Sequence, residues 1–298
     1  MRTDNLPNFF IIGAAKAGTT SLYEYIRHHP DVYLSDVKEP HYFCNDAIYA
    51  KGLEYYTRTY FAGSERYVAR GEATPHYLYY EKAASRMAAV LPESHQRFIV
   101  ILRDPVERAY SLYWNMVGEG HENRGFTRAL EEEEERSRDR DNEYYGRVRF
   151  QYYGSGLYAH QLKTYYKYFS PDKFLVLLFE DLRSNHEDVV RSVYRFLRIS
   201  DDVEIVRPKT FNSAGKPKSA ALQSLLRRPN RLKKELGRII PFKVKYKMVE
   251  LLLRWNRKSI QYPPMAPEIK AELRARFRDD VIELEEIIGR ELPNWKSV

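Results

Sequence analysis

Short apolar runs alternate along this chain with stretches whose apolar residues fall three and four apart. Phe9-Phe10-Ile11-Ile12 is continuous, and Leu22, Tyr25 and Ile26 then recur at helical spacing. That change of period predicts a strand followed by a helix over 20–28. The pair recurs three times. Tyr67–Arg70 precedes a helical pattern over Glu81–Val90, Phe98–Leu102 one over about Val106–Val117, and Phe174–Phe179 one over about His186–Leu197. Strands that are largely apolar fit burial on both faces. Strands alternating with helices predict an α/β domain. The expected form is a P-loop-like three-layer sandwich, a central parallel sheet flanked by helices, whose ligands bind beyond the carboxyl ends of the strands.

Three stretches depart from this rhythm. Glu119–Arg149 is charge-rich, includes Glu131-Glu132-Glu133-Glu134-Glu135, and reads as an exposed helix and loop. A mobile cover over a site is its functional alternative. Pro208–Pro241 is basic and carries Ser213-Ala214-Gly215-Lys216-Pro217-Lys218-Ser219, which Gly and Pro mark as a loop. Pro267–Ile288 places Ile269, Leu273, Phe277, Val281, Leu284 and Ile288 on one helical stripe, which reads as packing. No internal repeat is found.

Length and composition narrow the picture. A chain of 298 residues suits one domain over 1–298, with a basic helical C-terminal extension over about 207–298. The lone Cys44 excludes an intrachain disulfide and a thiolate zinc cluster, and suggests a reducing compartment. No stretch resembles a signal peptide or approaches a membrane span, so a cytoplasmic protein is expected. Between Arg207 and Lys258 stand 16 Lys/Arg against two Asp/Glu, a surplus of 14 in a chain whose net charge is +8. Such a segment suggests contact with a polyanion, a solvated helical face being the plainer alternative. No finger spacing or RNA-recognition signature is present, and no nucleic-acid partner is expected.

The candidate chemistry begins at Gly13-Ala14-Ala15-Lys16-Ala17-Gly18-Thr19-Thr20, directly after the first strand. A small-residue loop entering a helix presents backbone N–H groups to an anion, with Lys16 as a point charge. A Walker A loop would end in Gly-Lys-Ser/Thr, whereas here the lysine precedes the second glycine and no Thr or Ser follows it for Mg²⁺. The loop therefore suits a metal-free phosphate site, or else is an ordinary strand–turn–helix bend. Arg103-Asp104-Pro105-Val106-Glu107-Arg108-Ala109-Tyr110-Ser111 offers a second anion site. Arg103 closes a strand and Ser111 lies two helical turns on, unless Arg103 merely pairs with Asp104 or Glu107. In Lys38-Glu39-Pro40-His41-Tyr42-Phe43, Glu39 and His41 are two proton-transfer groups that would share a face of an extended segment, or else sit on a surface turn. Gly71-Glu72-Ala73-Thr74-Pro75-His76-Tyr77 adds His76, in a structural or a catalytic role.

Together these motifs resemble the sulfotransferases that use 3′-phosphoadenosine 5′-phosphosulfate (PAPS), especially bacterial members and the heparan-sulfate-type Golgi enzymes. The resemblance covers most of the chain. It implies that Phe10–Leu22 is the 5′-phosphosulfate loop, with Ala15, Lys16, Ala17, Gly18, Thr19, Thr20 and Ser21 at the donor. Arg103 and Ser111 would hold the 3′-phosphate, and Gly215, Lys216 and Lys218 belong to a late loop that covers the nucleotide. Lys38–Phe43 is similar to the heparan enzymes' Lys-Glu-x-x-Phe-Phe element, which implies Glu39 as base with His41 as its orienting partner or substitute, and His76 is the reserve because soluble aryl and steroid sulfotransferases place their base His in a similar stretch. Tyr153-Gly154-Ser155-Gly156-Leu157-Tyr158 resembles the segment that opens the next helix. Departures from the heparan pattern are Ala73 in place of Lys, no Lys-Gly-Arg element or disulfide in the late loop, and no membrane anchor. The implied protein is a cytoplasmic, bacterial enzyme that needs no metal and releases PAP. Its acceptor is a hydroxyl or amine on a carbohydrate, lipid, small metabolite or carrier-bound chain, and an anionic acceptor would suit the basic segment. The rival readings are a metal-dependent nucleotide kinase and a non-catalytic polyanion-binding protein.

Overall fold

The computed structural model describes residues 5–138, 149–207, 215–219, 222, 248–249, 251–253, 255–259 and 262–297, with only the backbone at 215–217 and 257–259. Five parallel strands form the main sheet: β1 (Phe9–Gly13), β2 (Val32–Leu34), β3 (Ala69–Ala73), β4 (Phe98–Leu102) and β5 (Phe174–Leu178). Their order across the sheet is β2-β3-β1-β4-β5. Because all run the same way, the chain leaves β1, β3 and β4 at one edge of adjacent strands.

Successive side chains of a strand point to opposite faces, and here each face meets its own layer of helices. Phe10 and Ile12 of β1, with Val100 and Leu102 of β4, enter one core. That core is closed by the helices α4 (Glu81–Val90), α5 (Pro105–Gly118), α8 (Tyr158–Tyr166) and α11 (Pro267–Ile288). Phe9, Ile11, Ile99 and Ile101 point the other way, against α1 (Thr19–Ile26) and α10 (His186–Leu197). A fully buried Ile or Phe side chain contributes about 1.5–3 kcal/mol, so apolar strands between two helical layers are strongly favoured. The three-layer α/β sandwich is as expected.

The differences from expectation have local causes. The strand placed at Tyr67–Arg70 lies instead at Ala69–Ala73, so Gly71, Glu72 and Ala73 are inside the sheet. Gly71 is required there because the Phe9 ring packs where its side chain would be. The edge strand β2 escaped detection because it has only three residues. Glu119–Arg149, expected to be exposed, is partly core. Phe126, Ala129 and Leu130 of α6 (Phe126–Glu131) are buried, as are Glu122 and Glu133. Glu122 is satisfied by Arg136 and the Tyr152 hydroxyl, both at 2.7 Å.

The last long helix does more than pack. Its stripe Leu273, Phe277, Val281 and Leu284 is buried. From the same helix, Asp280 accepts the Ala159 and His160 N–H groups at the start of α8, at 3.1 and 3.2 Å. Arg274 pairs with Asp104, the residue that caps α5.

Candidate active site

The start of the loop after β1 is fixed by backbone bonds to β4 on one side and to the stretch after β3 on the other. The Ala14 N–H donates to Ile101 O at 2.7 Å, and Ile12 O accepts from Leu78 N–H at 2.8 Å. Gly18 turns the chain into α1 with φ +96°, a left-handed conformation that suits glycine. A Cβ at Gly18 would lie 2.7 Å from Phe179 Cδ2. Helix α1 has no side-chain cap and no acid in its first turn. Its first N–H groups and the positive end of its dipole are therefore disposed toward an anion. Ala17 and Thr19 are buried, so they can offer only backbone, while Ala15, Lys16, Thr20 and Ser21 are partly exposed.

Lys16 reaches across the loop, and its Nζ donates to Asn115 Oδ1 at 3.0 Å. Asn115 lies one turn after Ser111 on α5, so Lys16 and Ser111 border the same space. Arg103 belongs here as well. Its Nη1 donates to Lys16 O at 3.4 Å, its guanidinium lies 5.1 Å from the Phe179 ring centre, and its own carbonyl accepts from Tyr158 Oη at 2.8 Å. The two carboxylates adjoining it in sequence are engaged elsewhere: Asp104 caps α5 and pairs with Arg274, and Glu107 faces Lys270, while Glu180 retains an electrostatic interaction with Arg103. Asn115 and Phe179 escaped the sequence reading. The only signal for Asn115 was its four-residue spacing from Ser111.

Glu39 and His41 do come together, but not on an extended segment. Both adopt left-handed backbone conformations, φ 60° and 56°. The turn is held by Glu39 N–H to Ala73 O at 3.2 Å, which ties it to the end of β3. Glu39 Oε1 accepts from Lys38 Nζ at 2.5 Å, while its Oε2 lies 3.7 Å from His41 Nε2. His76, three residues after β3, brings its ring centre to 5.4 Å from that of His41. His76 also shares a cavity with Ala14 and Ala15 of the loop, Leu112 of α5 and Ser155.

The electrostatics separate these groups. Burial alone would raise the Glu39 pKa, but Lys38, His41 and His76 together hold it down to about 2. Burial pushes the His41 imidazole down to about 3 despite the neighbouring Glu39. His76 is lowered too, chiefly by burial. At neutral pH the cluster therefore holds one carboxylate and two neutral imidazoles, all three able to accept a proton.

The late loop is only partly in view. Gly215 and Lys216 lie in β6 (Gly215–Pro217), which runs beside α5 and pairs antiparallel with β7 (Arg257–Ser259). The Lys218 ammonium lies 5.3 Å from the Trp255 ring centre. Residues 212–214 lie outside the described residues.

The donor of the expected class fits the residues present. An uncapped helix start, a glycine where a side chain would collide, and Lys16 on the loop with Arg103, from the end of β4, reaching its backbone suit a nucleotide bearing phosphates at two positions. Among the described residues, no helix is long and apolar enough to cross a membrane.

Comparison with known proteins bears on the same region. Residues 6–231 match the family model described as sulfotransferase domain. The chain is 27% identical over 325 residues to mouse bifunctional heparan sulfate N-deacetylase/N-sulfotransferase 4, covering 98% of this chain and 31% of that protein. It is 40% identical over 108 residues to mouse heparan sulfate glucosamine 3-O-sulfotransferase 3B1, covering 36% of this chain and 26% of that one. It spans less than a third of the length of these curated relatives. The crystal structure of a sulfotransferase from Alicyclobacillus acidocaldarius superposes with a TM-score of 0.71 at 29% identity, covering 98% of this chain and 99% of that one.

Proposed function

The chain belongs to the PAPS-dependent sulfotransferase family, and on that premise we propose how its own residues carry the transfer. PAPS supplies an activated sulfuryl group. The bond from sulfur to the 5′-phosphate oxygen breaks while one forms from sulfur to an acceptor oxygen or nitrogen, in line. Negative charge grows on the departing phosphate. Lys16 and the backbone N–H groups of Gly18–Ser21 stabilise that charge without a metal. Arg103 and Ser111 hold the 3′-phosphate, which distinguishes this nucleotide from ADP, and Gly215, Lys216 and Lys218 close over it. Glu39 accepts the acceptor's proton, His41 orients it, and His76 is the reserve base.

The observation that carries this reading is the approach of Arg103 to the Lys16 carbonyl at 3.4 Å. It supports two phosphate sites around a single loop. Relatives named for heparan sulfate favour a glycan hydroxyl or amine as acceptor, and the basic segment favours an anionic one. The buried lone Cys44 suits a reducing, cytoplasmic setting.

Calorimetry with PAP and ADP tests the donor site. Wild type should prefer PAP, and Arg103→Ala should lose that preference. Lys16→Ala should slow turnover by ~10²–10³. Equal binding of the two nucleotides, or a requirement for Mg²⁺ and ATP, would overturn the reading and favour a nucleotide kinase. Tight binding without turnover would favour a non-catalytic polyanion-binding protein.

A further inference from the structure

Glu39, His41 and His76 each offer a ligand atom, and the three atoms lie within 4.8 Å of one another. They come from two segments, the turn after β2 and the stretch after β3. Of these, Glu39 Oε2 and His41 Nε2 lie 3.7 Å apart. Ligands held at about 2.0–2.1 Å around a tetrahedral zinc ion stand roughly 3.4 Å apart. The separations of 4.8 Å or less thus exceed that spacing by at most about 1.4 Å, within the reach of rotations of partly exposed side chains.

We propose that Glu39, His41 and His76 form a site for a divalent transition ion of the zinc type, with its fourth position open. Two imidazoles and one carboxylate make up the open zinc site of several hydrolases. The same set is poor for Mg²⁺ or Ca²⁺, which take oxygen ligands. The scaffold is fixed in advance. Glu39 N–H is bound to Ala73 O, and Phe43 N–H donates to Tyr77 Oη at 3.4 Å, joining the two segments again. Lys38 holds the other carboxylate oxygen, as outer partners of metal ligands do, although its charge reduces the affinity for a cation.

A bound ion would take the lone pair that Glu39 uses as base. Zinc should therefore inhibit transfer in competition with the acceptor. That consequence rests on the proposed function, whereas binding of the ion does not.

The test is titration of the whole chain with Zn²⁺ alone, by calorimetry and by competition with a chromophoric chelator. Wild type should bind one ion saturably, with Mg²⁺ giving no heat. His41→Ala and His76→Gln should each weaken binding at least tenfold, and retained affinity for PAP would report that the variants fold. Cys44→Ser should bind as wild type does, although its sulfur lies 3.7 Å from His41 Nδ1. Co²⁺ should give tetrahedral visible bands in wild type that both histidine variants lose. No saturable binding to wild type, or unchanged binding in both histidine variants, would overturn the site. Full turnover in Glu39→Gln would remove the base assignment while leaving the binding result in force.

Discussion

Glu72 is the group whose protonation should be visible in the stability of the fold. It lies in β3 at 1% exposure. Its Oε1 accepts from the Tyr56 hydroxyl and from Tyr77 Oη at 2.8 Å, and its Oε2 from Thr74 Oγ1 at 2.5 Å. Those three donors favour the carboxylate, but burial outweighs them, and with Glu39 nearby the pKa is pushed from 4.5 up to about 7. Between these values the folded chain holds a proton that the unfolded chain has released. The stability contributed by this group is therefore complete below the unfolded pKa and is lost as pH rises through the folded one. The interval from 4.5 to about 7, at about 1.36 kcal/mol per unit, bounds the loss at about 3 kcal/mol. Glu72→Gln removes the ionisation and keeps the shape. Its amide oxygen can accept from both tyrosines while the Thr74 hydroxyl turns to accept from its NH₂. Urea unfolding of both proteins at about pH 5 and about pH 8.5 isolates the effect, because other titrating groups cancel in the difference. The stability of wild type relative to Glu72→Gln should fall by about 2.5 kcal/mol between the two conditions, short of the full bound because pH 5 already lies above the unfolded value of 4.5. A difference that stays constant across that range would refute the reasoning.

Two further outcomes follow from the same geometry. Gly18→Ala combines a left-handed φ of +96° with a Cβ 2.7 Å from Phe179, the ring beneath Arg103. It should cost ~1–3 kcal/mol and weaken PAP, read by thermal melting and calorimetry, and a variant indistinguishable from wild type would show that the loop yields freely. The pH profile of kcat tests the base. With Glu39 held at about 2 and His41 at about 3, both stay unprotonated well into acid, so the plateau should persist down to about pH 5. An acid limb near pH 6.5, where an unshifted imidazole titrates, would assign the base elsewhere.

What was legible in the sequence was local, and what was hidden was long-range. β1, β4 and β5 announce themselves because each is a short run of consecutive apolar residues, and the phosphate loop because its small residues follow such a run directly. β3 does not, because its Gly71-Glu72-Ala73 looks like a polar turn. A buried carboxyl group is tolerated there because hydroxyls from Tyr56, Thr74 and Tyr77 converge on it in space. Arg103 presented the same difficulty in reverse. Beside Asp104 and close to Glu107 it suggested a local ion pair, yet Arg274, 170 residues on, takes Asp104, and Lys270 faces Glu107. The last helix, readable only as an apolar stripe, thus occupies the two carboxylates that adjoin the arginine in sequence. Likewise Glu39 and His41 were legible as neighbours, but their meeting depends on two left-handed residues and on a bond to Ala73 that spacing does not reveal. The residue types that carry the chemistry sit in short local motifs. Their alignment depends on β3, β1 and β4 lying side by side and parallel, with the loop, Arg103 and the Glu39 turn all gathered at the one edge where those strands end.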